Sequence, residues 1–497
     1  MTSDIIQGTV DLVDTFHTQV QAHPHLSAVE HNGVSTSYEK LSDLARQIAG
    51  SIQRVTSTPS PRVLLALPAS ASAYAGMIGT LMAGGTFCPV NIEGPESRNA
   101  SITQAFSPDV ILFNGNPSSF FDGSPATTPR IDVSRPVTHF LDKSTTEYSE
   151  IAYVVFTSGS TGQPKGVKIG RTAFSYFLTI AHAYFDLIPG ERWGQFSNLG
   201  YDLAIMDVFL AVTQGGTLIP LASKKEQLIP ATAIKERRIA IWQSVPSVLE
   251  LMVRANQVSA NYLNPLRVMS FCGEPLLPHQ LTALFLARPD LHVFNTYGTT
   301  ETTGFNTINC LTSHNFRGSC ESPTVAIGND VPGWTINLRG GNSADEGEIV
   351  VSSDWLSLGY WRDEDRTRTA FRQLRQEGVQ EHRSYFTGDW GIRKNSQLYF
   401  SCRMDRQVKI RGERIELGEI DFFLREAGFA AAYTILVGND LYSFVESVDD
   451  VDEERIRSHL VKRLPFHSIP KAIRPLPSLP RNPNGKIDRG ALERSVA

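Results

Sequence analysis

A glycine- and hydroxyl-rich stretch that follows an apolar strand carries the clearest chemical signal in the sequence. It spans 154–166 and reads Val-Val-Phe-Thr-Ser-Gly-Ser-Thr-Gly-Gln-Pro-Lys-Gly. Glycines let backbone N–H groups curve around an anion, and hydroxyls add further donors. The lysine, Lys165, supplies a positive charge suited to phosphate. The spacing differs from a Walker A loop, because no lysine followed by Ser or Thr comes after the second glycine. Composition predicts a phosphate-binding loop, with a plain surface turn as the alternative.

The elements around this loop alternate between short apolar runs and amphipathic segments. The predicted strands are Val63–Leu67, Val110–Phe113, Ile151–Phe156, Thr217–Pro220, Ile239–Trp242, Val268–Phe271 and His292–Asn295. The predicted helices are Ala71–Met82, Thr172–Tyr184, Ala231–Arg237, Ser247–Ala255 and Leu277–Ala287. Alternation of this kind predicts an α/β fold with parallel-type sheets covered by helices.

The pattern changes towards the C-terminus. From about Gly340 the runs become β-like, at Glu348–Ser352 and Gln397–Ser401. A smaller α+β unit follows, with a βαβ-like run over Gln407–Val437 and, further on, a Pro- and Asn-rich final segment that we expect to be a loop. We therefore predict a large domain at 1–403 and a small domain at 404–497, because a chain of 497 residues exceeds one compact core.

Bulk composition excludes several classes of function. The formal net charge of −5 gives no electrostatic footprint for nucleic acid or an anionic membrane. The five cysteines include no CxxC pair, which argues against a zinc site or a disulfide framework. The N-terminus has no Lys or Arg before Lys40, and the apolar stretch Ala73–Phe87 is too short to span a bilayer. We expect a cytoplasmic protein with no nucleic-acid or membrane partner.

Motifs spread over nearly the whole chain resemble, in their order, those of the adenylate-forming superfamily. This superfamily includes acyl-CoA synthetases, luciferases and the adenylation domains of nonribosomal peptide synthesis. Besides the glycine-rich loop, the matching segments are Leu81–Val90, Asn295–Glu301, Gly347–Ile349, Gly359–Trp361, Tyr385–Asp389, Arg403–Gly412 and Asn484–Asp488. The resemblance implies a β-barrel-like part in the large domain and a small C-terminal domain that moves about a hinge at Asp405.

The resemblance also implies which residues bind ATP. The phosphate contacts fall to Thr157, Ser158, Gly159, Ser160, Thr161, Gly162 and Lys165, and the contacts with the rest of the nucleotide fall to Asn295, Thr296, Tyr297, Gly298, Thr299, Asp389 and Arg403. Tyr297 is expected to stack on adenine, and Asp389 to accept hydrogen bonds from both ribose hydroxyls, which a carboxylate with two oxygens can do. A lone aromatic such as Tyr297 is otherwise usually a core residue.

Three residues are assigned by the resemblance to the reacting groups. Thr300 contacts the α-phosphate, and Glu301 holds Mg²⁺, whose hard charge suits a carboxylate oxygen. Lys486 bridges the substrate carboxylate and the α-phosphate, where charge builds up during the reaction. Without the resemblance, the alternative interpretation of Glu301 is a solvated acid and that of Lys486 is a surface lysine.

Asp202 marks the substrate as an amino acid. It occupies the position at which amino-acid-activating members hold the α-ammonium group, and a buried carboxylate needs such a cationic partner. A helix N-cap is the alternative interpretation. The other pocket positions are uncharged, and by alignment they are Leu203, Met206, Ser247, Ser270, Cys272, Gly273, Thr296, Gly304 and Phe305.

The local sequences around Asp202 and Cys272 are most similar to those of D-alanine–carrier-protein ligases. The resemblance therefore implies activation of a small neutral amino acid, with alanine first and serine, threonine or proline behind it. No carrier domain follows Lys486 in the sequence, so the acceptor is expected to be the phosphopantetheine thiol of a separate carrier protein or coenzyme A. An acyl- or aryl-CoA synthetase and a degenerate nucleotide-binding accessory protein are the alternatives.

Overall fold

The structure is a computed structural model that describes residues 11–115, 124–135, 148–157, 164–376, 379–404, 406–429, 431–448, 450–480 and 487–496. Several residues singled out in the sequence lie outside these ranges, namely Ser158–Gly162, the expected hinge Asp405 and the expected catalytic Lys486.

The strands and helices of these ranges are numbered in chain order. The strands are β1 Ser27–His31, β2 Val34–Ser37, β3 Arg62–Ala66, β4 Thr86–Pro89, β5 Val110–Phe113, β6 Arg130–Asp132, β7 Ile151–Thr157, β8 Lys165–Gly170, β9 Arg192–Gln195, β10 Thr217–Pro220, β11 Ile241–Ser244, β12 Val268–Phe271, β13 His292–Tyr297, β14 Thr307–Leu311, β15 Asn329–Asp330, β16 Thr335–Gly340, β17 Glu346–Ser352, β18 Phe371–Gln376, β19 Val379–Lys394, β20 Gln397–Arg403, β21 Gln407–Ile410, β22 Glu413–Glu416, β23 Ala432–Val437, β24 Asp440–Glu446 and β25 Ala472–Leu476. The helices are α1 Leu12–Ala22, α2 Tyr38–Val55, α3 Ala71–Met82, α4 Glu96–Phe106, α5 Arg171–Phe185, α6 Asp202–Val212, α7 Lys224–Leu228, α8 Pro230–Glu236, α9 Pro246–Arg254, α10 Ala260–Leu263, α11 Pro278–Ala287, α12 Glu364–Ala370, α13 Leu417–Glu426, α14 Glu453–Val461 and α15 Arg489–Arg494.

Two sheets with parallel centres form the larger part of the molecule. One has the order β6-β5-β3-β4-β7-β8 and is parallel except at the β7–β8 pair. The other has the order β15-β14-β13-β12-β11-β9-β10-β1-β2, with antiparallel pairs only towards its two edges. The predicted α/β class with parallel-type sheets covered by helices is confirmed.

Helices α5 and α6 pack against both of these sheets. Phe209 of α6 stacks on Phe87 of β4, and Phe174 of α5 contacts Tyr153 of β7. On the other side, Phe185 of α5 packs on Trp193 of β9. Such all-round burial explains why the α6 sequence is almost continuously apolar after Asp202 rather than amphipathic.

An antiparallel sheet and the C-terminal elements complete the fold. The antiparallel sheet has the order β16-β17-β19-β18, and β20 pairs with β19, so the described strands form a β-rich part without a closed barrel. At the C-terminus, β21 and β22 form a hairpin, and β23, β24 and β25 form a separate sheet. Two apolar clusters lie wholly within residues 410–496.

Three expectations about individual elements were wrong. The strand expected at Ile239–Trp242 lies at Ile241–Ser244. The run expected to be βαβ-like begins with the β21–β22 hairpin. The final segment, expected to be a loop, contains β25 and α15, because Asp488 caps α15 by accepting a hydrogen bond from the Ala491 N–H. In the part of the chain that the structure describes, no helix is long and apolar enough to cross a membrane.

Candidate active site

The phosphate loop joins two paired strands. Thr157 ends β7, Lys165 begins β8, and the two residues are partners in the antiparallel ladder. The intervening Ser158, Gly159, Ser160, Thr161 and Gly162 lie outside the described residues. Lys165 is buried, and the Thr157 Oγ1 has no hydrogen-bond partner within the described ranges. The ladder therefore fixes both ends of the loop and directs a lysine into the interior.

That lysine belongs to a buried charged cluster, which we define as Lys165, Glu301, Tyr360 and Arg414. Glu301 is fully buried, and its two oxygens accept hydrogen bonds from the Arg414 Nη1 at 3.0 and 3.1 Å. The Lys165 Nζ lies 3.4 Å from the Glu301 Oε1, and the Tyr360 hydroxyl donates to the same atom at 2.9 Å. The cluster joins the large part of the molecule to the C-terminal hairpin.

The cluster shifts the pKa of each charged member. Burial would raise the pKa of Glu301, but Arg414 and then Lys165 outweigh it and hold that pKa well below its usual range. Burial, and next the Arg414 charge, lower the pKa of Lys165 from 10.5 to about 8. Burial opposes the charged form of Arg414 too, yet Glu301 raises the pKa of Arg414 well above its ordinary value. Glu301 is thus an anion held between two cations.

Five of the seven residues predicted to contact the rest of the nucleotide line one cavity. It has a volume of about 300 Å³ and is lined by Asn295, Thr296, Tyr297, Asp389 and Arg403 together with C-terminal residues such as Lys409. A cavity of this size is at the lower end of those that bind small molecules. The structure therefore brings together the predicted nucleoside residues at the junction of the large part and the C-terminal elements.

In this arrangement the two oxygens of Asp389 are engaged by protein groups. The Tyr297 hydroxyl donates to Oδ2 at 2.7 Å, and the Arg403 Nη1 donates to Oδ1 at 2.7 Å. Burial raises the pKa of Tyr297 well above its ordinary value, which keeps the phenol protonated and donating. Asn295 and Thr296 are buried and donate to the backbone oxygens of Ala326 and Phe271. Ribose contacts with Asp389 would therefore share or replace these hydrogen bonds.

A tight turn between β13 and a short 3₁₀ helix presents Thr300 and Glu301. At Gly298 an added Cβ would lie 1.9 Å from the Gly304 backbone oxygen, so only glycine fits there. Gly304 itself has φ +86°, and its Cβ would meet the Phe177 ring. The Thr299 N–H donates to the Thr302 Oγ1, which closes the turn. The glycines thus allow the close backbone approach that fixes Glu301.

Asp202 lies beside Thr300 at the start of α6. The Thr300 Oγ1 donates to the Asp202 Oδ2 at 2.6 Å, and the Leu203 N–H donates to Oδ1 at 2.9 Å. The N-cap of α6 is Tyr201, so Asp202 is the first helical residue rather than the cap. Burial raises the pKa of Asp202, and the Thr300 hydrogen bond and Lys409 partly oppose this. A cation brought to this carboxylate would relieve the cost of its burial.

The predicted pocket residues fall into two groups. Ser247 lies apart on α9, and the others lie on α6, on or just after β12, and on β13 or in the turn that follows it. Leu203, Met206, Cys272 and Phe305 are buried members of one apolar cluster, and Gly304 and Phe305 belong to the turn just described. Ser270 precedes Cys272 by two residues on β12. Gly273 ends this strand region with φ +93°. Ser247, in contrast, lies in the first turn of α9, where its N–H donates to the Glu274 Oε2 at 3.0 Å.

The hairpin β21–β22 contributes residues that the sequence did not identify. Gly412 is at its turn, with φ +81°, and its N–H donates to the Glu274 Oε1 at 2.7 Å. Burial raises the pKa of both Asp202 and Cys272, and the Lys409 charge partly opposes this rise. Lys409 and Gly412 fall within the matching segment Arg403–Gly412, but no individual role was expected for Lys409, and Arg414 lies outside that segment. The roles of Lys409 and Arg414 depend on how the hairpin docks. Glu274 was missed for the same reason.

The residues do not fit a metal ion in this arrangement. Glu301 is the predicted Mg²⁺ ligand, but both of its oxygens accept hydrogen bonds from a guanidinium, and an ammonium lies beside them. Throughout the described ranges there is no group of three or more His, Cys, Asp or Glu residues that could hold a metal ion. What the site offers chemically is an anion-binding cationic end, a cavity of about 300 Å³ and the half-buried carboxylate of Asp202.

Comparisons with known proteins give the family of the chain and relatives of similar length. The family model described as AMP-binding enzyme matches residues 16–361. Among curated relatives, the D-alanine--D-alanyl carrier protein ligase of Staphylococcus aureus (strain Newman) is 29% identical over 500 residues, which covers 96% of this chain and 98% of that protein.

Solved structures share the fold over nearly the full length. The Vibrio cholerae adenylation domain AlmE, in complex with glycyl-adenosine-5'-phosphate, has a TM-score of 0.83 at 24% identity and covers 98% of this chain and 97% of its own. Holo-PA1221, an NRPS protein containing adenylation and PCP domains, has a TM-score of 0.81 at 24% identity, covering 98% and 84%. At these identities the likeness shows the fold.

Proposed function

Because the chain belongs to the AMP-binding enzyme family and is thereby a ligase, we propose that it activates a small neutral amino acid with ATP and transfers it to a carrier-protein thiol. The first half-reaction forms the aminoacyl-AMP and releases pyrophosphate. The second half-reaction forms a thioester with the phosphopantetheine arm of a separate carrier protein. The likeness to a D-alanine--D-alanyl carrier protein ligase supports both the kind of substrate and the acceptor.

Asp202 is the observation that carries this proposal. Its carboxylate is close enough to Thr300 for a 2.6 Å hydrogen bond, and Thr300 adjoins Glu301 of the charged cluster. An amino acid whose ammonium pairs with Asp202 would have its carboxylate near the groups expected to bind the α-phosphate. A simple carboxylate would leave Asp202 without a cationic partner, which argues against the acyl- or aryl-CoA synthetase alternative.

The range of substrates follows from the uncharged pocket. Met206, Phe305 and Leu203 are apolar and buried, so a charged substrate side chain would lack a partner there. The similarity to D-alanine ligases favours alanine, and serine, threonine and proline are the other candidates. We propose Lys486 as the group that bridges carboxylate and phosphate during adenylation, and Asp405 as the hinge between the two half-reactions.

Pyrophosphate exchange into ATP tests the proposed function. The purified enzyme is given ATP, labelled pyrophosphate and, one at a time, the D and L forms of small neutral amino acids or simple carboxylates. We expect exchange with at least one amino acid and none with acetate, propionate or benzoate. Asp202→Asn should lower kcat/KM for the amino acid by roughly 100-fold or more, since a broken buried charge pair costs about 3–5 kcal/mol.

The matched control is Asp354→Asn, which removes an exposed carboxylate whose nearest cationic group is His382. This variant should keep the wild-type exchange rate. Exchange with simple carboxylates but with no amino acid would contradict the proposal and favour the CoA-synthetase alternative.

A further inference from the structure

The register of the central sheet brings a second polar side chain beside Ser270, one of the predicted pocket residues. Gln243 of β11 pairs with Ser270 of the parallel strand β12. Paired residues of neighbouring strands project from the same face of a sheet. The flanking Trp242 and Met269 belong to the apolar cluster on the opposite face. Gln243 and Ser270 therefore point to the opposite face from Trp242 and Met269, and Cys272 follows Ser270 by two residues, just after the end of β12.

Both side chains are fully buried and have no partner. Gln243 and Ser270 each have 0% exposure. Within the described ranges, the Gln243 Nε2 and Oε1 and the Ser270 Oγ make no hydrogen bond. Buried polar atoms in folded proteins are nearly always paired, so three such atoms at adjacent positions require an explanation. A polar ligand group that completes these hydrogen bonds supplies one.

The position of the pair relative to the pocket suggests which ligand group this is. Cys272 lies two residues beyond Ser270, just after the end of β12, and two residues of extended chain span about 7 Å. The Asp202 charge acts on the Cys272 thiol, and the Thr296 hydroxyl is also hydrogen-bonded with it. A substrate anchored by its ammonium at Asp202 would thus direct its side chain past Cys272 towards Ser270 and Gln243. We define Gln243 and Ser270 as the pocket floor.

We propose that the pocket floor recognises, by hydrogen bonds, a neutral polar group on the side chain of the activated amino acid. This group is a hydroxyl or a carboxamide. This inference rests on the proposed function and narrows its substrate class. The Gln243 amide offers one donor face and one acceptor, and the Ser270 hydroxyl offers both. A hydroxyl or carboxamide also donates and accepts, so it satisfies these atoms, whereas an alanine methyl leaves all three unpaired. Serine and threonine therefore precede alanine among the candidates.

A site built to hydrogen-bond a substrate rejects the analogue that lacks the polar group far more strongly than an apolar pocket rejects a size variant. We therefore expect the wild-type enzyme to prefer the polar member of each near-isosteric pair. The pairs are serine with alanine, threonine with valine, and asparagine with leucine, each in D and L forms. The favoured polar amino acid should exceed its partner in kcat/KM by roughly 100-fold or more.

Two single substitutions assign the preference to the pocket floor. Gln243→Leu keeps the approximate side-chain volume and removes the amide, and Ser270→Ala removes only the hydroxyl. Each should lower kcat/KM for the polar amino acid at least tenfold while leaving or improving that for its apolar partner. The selectivity ratio is the readout, because loss of fold would lower both rates together.

A measurement on the wild-type enzyme alone covers the case in which the variants do not fold. Non-reactive sulfamoyl analogues of the seryl and alanyl adenylates are titrated by calorimetry, and the seryl analogue is expected to bind at least tenfold more tightly. The inference is overturned if alanine or its analogue is preferred, or if both variants retain the wild-type ratio, which is the result expected if the pocket floor binds only a buried water. Absence of exchange with every amino acid would instead contradict the proposed function.

Discussion

The charged cluster and the pocket floor are two buried polar regions of one site, and they differ in how their atoms are satisfied. In the charged cluster, the Glu301 carboxylate accepts hydrogen bonds from Arg414, Lys165 and Tyr360. In the pocket floor, the polar atoms of Gln243 and Ser270 have no partner in the described parts of the chain. One region is completed by the protein itself, and the other lacks the group that would complete it.

This difference indicates what each region does in the arrangement that the structure shows. Arg414 comes from the C-terminal hairpin, so the charged cluster is complete only while that hairpin is docked on the large part. The Arg414 guanidinium then occupies the space beside Glu301 that phosphate and Mg²⁺ would need for the predicted contacts. The pocket floor is formed by β11 and β12 alone, and docking of the hairpin does not change its composition. The cationic end is therefore conformation-dependent, and the pocket floor is preformed.

The largest expected effect comes from neutralising Glu301. Glu301→Gln leaves the buried Lys165 and the half-buried Arg414 without their shared anion, and breaking a buried charge pair costs roughly 3–5 kcal/mol. The hairpin should lose its docked position, so its backbone amides should exchange hydrogen faster by a factor of about 100 or more, while amides of β12 and β13 keep their protection. Hydrogen exchange followed by mass spectrometry measures both regions at once.

The double variant Glu301→Gln/Arg414→Gln is the control for this effect. If Glu301 and Arg414 stabilise docking through each other, the double variant should lose less hydrogen-exchange protection than the sum of the losses in Glu301→Gln and Arg414→Gln. Additive losses would mean that the Glu301–Arg414 contact does not hold the hairpin, and the contrast between the two regions would fail.

An intermediate effect is expected at the hairpin turn. In Gly412→Ala the new Cβ would lie 2.3 Å from the Val245 Cγ1, and the residue has φ +81°. Overpacking of this kind costs about 1–3 kcal/mol. If the docked pose serves thiol transfer, thioester formation should fall about 5- to 100-fold, while pyrophosphate exchange stays within about twofold of wild type. The two half-reactions are assayed separately.

Gly438→Ala is the matched control for that substitution. Gly438 also has a positive φ, +62°, but a Cβ there meets nothing within 4 Å. It therefore carries the backbone strain without the clash, and it should leave both half-reactions nearly unchanged. Equal loss of exchange and transfer in Gly412→Ala would show that docking is not specific to the second half-reaction.

A prediction about stability alone concerns a third unpartnered group, Asp207 of α6. Its Oδ1 accepts from the Trp193 Nε1 at 2.9 Å, and its Oδ2 has no partner in the described structure. Burial raises the pKa of Asp207 well above 3.8, against the opposing Trp193 hydrogen bond. Above pH 3.8 the folded protein therefore holds a proton that the unfolded chain has released, and its free energy of unfolding decreases as the pH rises towards the folded-state pKa.

Asp207→Asn removes this proton uptake. The variant and the wild type should have free energies of unfolding within about 1 kcal/mol of each other near pH 4, because that pH is only just above the unfolded-state pKa of 3.8 and the linked free-energy difference is still small. The advantage of the variant should then grow by up to about 1.4 kcal/mol per pH unit. Urea denaturation at pH 4, 6 and 8 measures it. A wild type that is the more stable protein at pH 8 would mean that Asp207 is ionised beside a cation.

Much of the fold could be predicted because its signals are local. The helix Ala71–Met82 and the strand Val268–Phe271 have the predicted bounds, since an uninterrupted apolar pattern defines each of them. The residues of Asn295–Glu301 lie close together because they form the end of β13 and the turn that follows it. In contrast, the strand expected at Ile239–Trp242 is displaced to Ile241–Ser244, and the prediction therefore stopped just before Gln243.

The residues that escaped prediction act through long-range pairing. Ser247 was included in the pocket by alignment, whereas the sheet register sets Gln243 beside Ser270. The sequence signal that could have identified Gln243 is its position as a polar residue at the end of a buried apolar run. Arg414 and Lys409 reach the site only because the C-terminal hairpin folds back onto the large part, which no local pattern encodes. Such contacts depend on the relative positions of elements that are distant in sequence.

Thioester formation tests the central claim most directly. The enzyme is incubated with ATP, Mg²⁺ and the amino acid that gives the fastest exchange, and with either free pantetheine or coenzyme A as the acceptor thiol. Mass spectrometry identifies the products, and hydroxylamine confirms a thioester by cleaving it. We predict an aminoacyl-pantetheine thioester that is absent without ATP and strongly reduced in Asp202→Asn. Formation of a coenzyme A thioester from a simple carboxylate, with no aminoacyl thioester on either thiol, would contradict the account.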